Sequence, residues 1–115
     1  MRIAVASDDR KTISHHFGSA LGFVIFEIYD NRVINQEYRK NIGKSTGECG
    51  SCNHDVMIKN IKDCNVLISY GMGRRIYDDL SKNNIQAVVT DEETVDAAIK
   101  RFIKKELENR LDKLH

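Results

Sequence analysis

Cys49-Gly50-Ser51-Cys52 is a C-x-x-C pair, and His54 follows two residues on. Two thiolates at this spacing can grip one soft metal ion or two positions of a sulfur cluster. The pair sits just ahead of a predicted helix, whose N-terminal dipole lowers thiol pKa and favours thiolate. The same property would serve dithiol redox exchange. A closed zinc site takes four ligands, so one pair leaves three readings open: metal or cluster binding, redox exchange, or incidental surface thiols. A thioredoxin-like arrangement is disfavoured, because the pair follows a glycine-rich loop and lacks the βαβ start. The third cysteine, Cys64, precedes an apolar strand and reads as a buried, structural thiol. An odd cysteine count argues against a disulfide framework.

His15-His16-Phe17-Gly18 is the second feature. Imidazole is a common metal ligand, and a loop histidine can swing to meet a cluster. Phe17 can anchor such a loop and Gly18 can turn it. The plain alternative is one solvated and one hydrogen-bonded histidine. Gly71-Met72-Gly73 is the third feature, leading from a strand into a helix. Backbone N–H groups there can hold an anion or cluster sulfides, although a tight strand-to-helix turn needs the same residues. A dinucleotide fingerprint fails, since Ile76 stands at its third glycine. Asp8, Asp9 and Asp91 do not make a metal nuclease without further acids and a basic face. No Ser-His-Asp or Cys-His-Asn set with plausible roles is present.

The elements that must position these residues follow from pattern. The chain has 115 residues, one domain's worth, and 41% of them are hydrophobic. The formal net charge of +1 gives no basic excess for nucleic acid. The apolar runs are too short to span a bilayer or form a secretory signal, so a cytoplasmic location is expected. Strands are predicted at Arg2–Ser7, Phe23–Tyr29 and Arg32–Arg39, the last two joined by an Asp30-Asn31 hairpin turn. A loop at Asn41–Ser51 precedes a helix over Asn53–Asp63. Strands at Val66–Tyr70 and Ile85–Val89 flank a helix at Arg74–Lys82. Thr90-Asp91-Glu92-Glu93 matches a capping box, so the last helix is expected over Asp91–Leu114, with residues 104–115 as a helical extension of the single domain 1–115. That extension is expected as either an exposed tail or a docking surface.

The order β-β-β-α-β-α-β-α restricts the topology. A meander makes the first and third strands point one way, and helical crossovers make the fourth and fifth parallel to them. If the first strand lies beside the fourth, the class is α/β with a five-stranded mixed sheet of order 3-2-1-4-5. The crevice at the switch point then lies between the loop after the first strand and the Gly71-Met72-Gly73 turn. The histidines, the C-x-x-C and the glycine turn would share one edge.

Met1-Arg2-Ile3-Ala4-Val5-Ala6-Ser7-Asp8-Asp9, then Ile13-Ser14-His15-His16-Phe17-Gly18 and Phe23-Val24-Ile25-Phe26, resemble the dinitrogenase iron-molybdenum cofactor biosynthesis family. Gly71-Met72-Gly73 and Ile85–Thr90 continue the likeness, which covers about residues 1–103. The resemblance implies a ribonuclease H-like three-layer fold and a non-catalytic role in carrying or storing an iron-sulfur cluster, or the iron-molybdenum cofactor or its precursor. It implies His16 as the loop ligand and Gly71 and Gly73 as the glycine turn. Cys49, Cys52 and His54 would complete the metal ligands. A cofactor-assembly or acceptor protein is the expected partner, with neither nucleic acid nor membrane. A thiol-disulfide redox protein or a metal-free interaction module are the rival functions.

Overall fold

The computed structural model describes residues 1–14, 20–40 and 58–105. His15, His16, Cys49, Cys52 and His54 lie outside the described residues, as do the loop after residue 40, most of the helix expected over 53–63, and the extension past Lys105. Five strands form one sheet: β1 (Arg2–Ser7), β2 (Gly22–Tyr29), β3 (Arg32–Lys40), β4 (Val66–Ser69) and β5 (Gln86–Val89). Two helices follow β4 and β5: α1 (Arg74–Lys82) and α2 (Val95–Ile103). Residues 58–60 are helical and lead through a turn to β4.

The strand order is β3-β2-β1-β4-β5, the order expected if β1 lies beside β4. β1 pairs antiparallel with β2 and parallel with β4, placing Val5 beside Val24 on one side and Ile68 on the other. The β2–β3 hairpin turns through Asp30 and Asn31, at φ 53° and 61°. Both residue types tolerate the left-handed region that a two-residue hairpin turn needs.

Side chains alternate across the sheet and build two cores. Ala4, Ala6, Phe23, Ile25, Leu67 and Val89 pack against Ile58, Ile61, Ile76 and Leu80 on one face. Ile3, Val5, Val24, Phe26, Ile68 and Val88 pack against Val95, Ala98 and Ile99 on the other. Strands β1 and β4 are buried on both faces, which explains their unbroken apolar runs.

The last helix corrects the sequence-based expectation at both described ends. It starts at Val95, with Thr94 as N-cap accepting from Ala97 N at 3.3 Å. Residues 91–94 are held out of the helix by the loop after β1. Ile13 N donates to Glu93 O (2.8 Å), Val95 N donates to Lys11 O (2.9 Å), and Thr12 bridges Thr94. Thr90 Oγ1 accepts from Glu92 N at 3.1 Å, so the apparent capping box forms a turn. The helix stops at Ile103, because Lys105 takes φ 63° and sends its N–H back to Phe102 O.

Candidate functional site

Strands β1, β4 and β5 run parallel, so their carboxyl ends share one edge, and each ends on a buried hydroxyl: Ser7, Ser69 and, one residue past β5, Thr90. An apolar strand that ends in a hydroxyl can tie the turn that follows it. Ser7 Oγ donates to Thr12 O at 2.6 Å and accepts from Arg10 N at 2.9 Å. Ser69 Oγ donates to Gly71 O at 2.9 Å, and Thr90 N donates to Ser69 O at 2.9 Å. The two turns facing the β1/β4 crevice are therefore fixed from beneath.

The turn after β1 is organised by Asp9. Its Oδ1 accepts from Lys11 N (2.9 Å), Thr12 N (2.8 Å) and Thr12 Oγ1 (3.0 Å). Those backbone donors stabilise the charged carboxylate and lower its pKa to about 2. Asp8 Oδ1 accepts from Leu21 N at 2.8 Å, joining the two described ends that flank residues 15–19. Ser14 N donates to Ala6 O at 2.8 Å. Both acids that the sequence singled out here are thus engaged with backbone amides.

Gly71 and Gly73 lie between β4 and α1, at the same edge. Gly73 is the N-cap of α1 at φ −74°, with no side-chain cap bond and no acid in the first turn. Arg74 and Arg75 occupy that turn and are exposed. A bare helix start flanked by two guanidiniums is electropositive. Met72 is 1% exposed and packs in the core between the glycines.

Tyr38 and Arg10 escaped the sequence reading. The Tyr38 hydroxyl reaches across β2 to donate to Ser7 O at 3.2 Å, and the Arg10 guanidinium lies 4.6 Å above its ring. Gly22 makes room, since a Cβ there would collide with the Tyr38 phenol and Arg39 carbonyl. Burial, with Asp8 next in weight, raises the Tyr38 pKa, so the phenol keeps its proton. The available signal was Gly22 and Tyr38 near the paired ends of a predicted hairpin. Side-chain type does not announce a left-handed arginine.

Cys64 is buried on the helix-58 side of the sheet, where burial raises its thiol pKa to about 11. That is an inert packing thiol. Among the described residues, no group of three or more His, Cys, Asp or Glu side chains could hold a metal ion. An open cavity of about 390 Å³ lies at the opposite, amino edge, lined by Met1, Ile28, Asn31, Phe102, Ile103 and Lys105. Among the described residues that line it there is no His, Cys, Asp or Glu.

The sheet order, with β1 and β4 parallel and adjacent and the glycine turn following β4, defines an α/β protein with its topological switch point at the β1/β4 carboxyl ends. The chain belongs to the dinitrogenase iron-molybdenum cofactor family, whose model matches residues 1–105. Among solved structures, PH0822 is 26% identical with a TM-score of 0.73, over 97% of this chain and 96% of that one. The mj0327 protein of Methanocaldococcus jannaschii is 25% identical with a TM-score of 0.74, over 96% and 95%. The apo orange protein of Desulfovibrio gigas, 23% identical over 96% and 92%, shares the fold with a TM-score of 0.76. A search of curated proteins finds no match. No helix among the described residues is long and apolar enough to cross a membrane.

Proposed function

We propose that this protein binds and carries an iron-sulfur or iron-molybdenum-sulfur cluster, without catalysing a reaction, at the carboxyl edge of its sheet. The observation that carries this reading is the parallel β1–β4 pairing, which sets the turn after β1 beside Gly71-Met72-Gly73. Family membership supplies the chemical class of the cargo. The described residues fit an anionic, sulfide-rich cargo: the uncapped start of α1, with Arg74 and Arg75, favours negative charge. They do not form a metal site by themselves.

The covalent ligands in this reading come from outside the described residues. Cys49 and Cys52 give thiolates, His16 gives an imidazole, and His54 stands next to the cysteine pair. Gly71 and Gly73 offer backbone N–H groups. A site assembled from loop ligands around a fixed floor keeps open positions, as release to an acceptor or cofactor-assembly protein in the cytoplasm requires. This reading takes the sheet as a ribonuclease H-like scaffold.

Reconstitution with iron and sulfide under anaerobic conditions tests the assignment. Cys49→Ser with Cys52→Ser should abolish thiolate-to-iron charge-transfer bands, and His16→Ala should weaken retention on gel filtration. Undiminished cluster binding by the triple variant would remove these residues from the site.

A further inference from the structure

We propose a second binding site, for a small oxyanion carrying a carboxylate or phosphate group, in the cleft between Arg10 and the outer face of the β2–β3 hairpin. The cleft holds about 310 Å³ and is lined by Arg10, Val24, Gln36, Glu37 and Tyr38. This inference does not depend on the cluster reading.

Arg10 adopts φ 70°. Glycine takes that conformation freely, whereas a residue with a Cβ is disfavoured there. The turn itself is secured by backbone bonds: Arg10 N donates to Ser7 Oγ, and Asp9 collects the next two amides. The fold thus needs this backbone shape but not this side chain. The side chain is nonetheless placed, with its guanidinium carbon 4.6 Å above the Tyr38 ring. Stacking occupies one guanidinium face and leaves the N–H edge to form a fork, the geometry that pairs with carboxylate and phosphate oxygens.

The surroundings leave that fork without a carboxylate among the described residues. Asp9 turns to its own turn amides and Asp8 to Leu21 N, and among the described residues no ion pair involves Arg10. Glu37 also lines the cleft, but its carboxylate is paired, accepting from Arg39 at 2.9 and 3.1 Å. Gln36 shares the Tyr38 face through its pairing with Phe26, and its carboxamide supplies a neutral donor. Val24, 1% exposed, forms an apolar floor. The cleft therefore presents one oriented cation, one amide donor and an apolar base, which together select a small oxygen anion.

Amide NMR titrations of the full chain with inorganic phosphate, and separately with acetate, at ionic strength held constant with chloride, test this. The wild type should show saturable shifts at Arg10, Gln36 and Tyr38. Saturation by phosphate alone assigns a tetrahedral anion, and saturation by acetate assigns a carboxylate. Arg10→Gly suits the backbone and should leave the thermal midpoint unchanged or higher while weakening binding about tenfold or more. Arg10→Lys, which keeps charge but loses the fork, should fall between. Absence of saturable shifts in the wild type, or equal binding by Arg10→Gly, would overturn the proposal.

Discussion

Asp9 and Asp63 both titrate near pH 2, and in both the main cause is a set of hydrogen bonds to the charged form. For Asp63 the donor is Arg39, at 2.6 and 2.8 Å, with Arg2 at 2.9 Å beyond it. The reciprocal effect pushes the Arg39 pKa up. A folded-state pKa below the ordinary carboxylate value of about 4 means stability that is present above pH 4 and lost as pH falls through about 2. Urea midpoints should therefore drop between pH 4 and pH 2. Asp63→Asn should be less stable at pH 7 and show a flatter acid limb, because it has already lost the titrating partner of Arg39. An unchanged acid limb would place the proton uptake elsewhere. Gly22→Ala forces a Cβ into the Tyr38 phenol and Arg39 carbonyl, and should destabilise by about 1–3 kcal/mol in denaturant unfolding. These side-chain roles were not legible in the sequence. Asp9, Asp63 and Tyr38 differ from other surface residues only in what the fold brings beside them.

The C-terminal helix shows how a local signal yields to a tertiary one. Thr90 and Glu93 satisfy the capping pattern, yet Glu93 O and Val95 N are committed to Ile13 and Lys11 in the loop after β1. Two long-range backbone bonds and the Thr12–Thr94 bridge outweigh one early helical turn. Thr94→Ala should accordingly remove the working cap and cost about 1 kcal/mol. The loss should appear as faster amide exchange at Asp96 and Ala97, whereas Thr90→Ala should leave those amides protected. At the other end, Lys105→Gly should stabilise by up to about 1 kcal/mol, because glycine accepts φ 63° without a Cβ penalty. The strands were more legible. The apolar runs placed β1 and β4, buried on both faces, and the Asp30-Asn31 turn placed the β2–β3 hairpin, so that all five strands fall within a residue or two of expectation.

On the scale of the whole molecule, the connection rules made the strand directions readable, and the sheet order followed only once β1 was set beside β4. A hairpin forces antiparallel neighbours and helical crossovers force parallel ones, which left β4 free to join either β3 or β1; the structure places it beside β1. The carboxyl edge follows from that order, and so does the meeting of the β1 turn with Gly71 and Gly73. The centre of the sheet carries the fold: Leu67, fully buried between β1 and β5, should cost about 2–5 kcal/mol when cut to alanine, read as a lowered urea midpoint. The cargo is a different matter. Sequence motifs suggest ligands for the proposed cluster, but which metal such ligands would select is set by coordination geometry that residue types alone do not specify.

Paramagnetic NMR of the anaerobically reconstituted protein would locate a bound cluster on the fold. Iron and sulfide should be retained in stoichiometric amounts. Amide signals of Ser7–Thr12 and Gly71–Arg74 at the carboxyl edge should broaden, while those of Asn31 and Asn65 at the amino edge stay sharp. Retained cluster with broadening at the amino edge, or no retained metal under any loading condition, would contradict a cluster carrier built on the β1/β4 crevice.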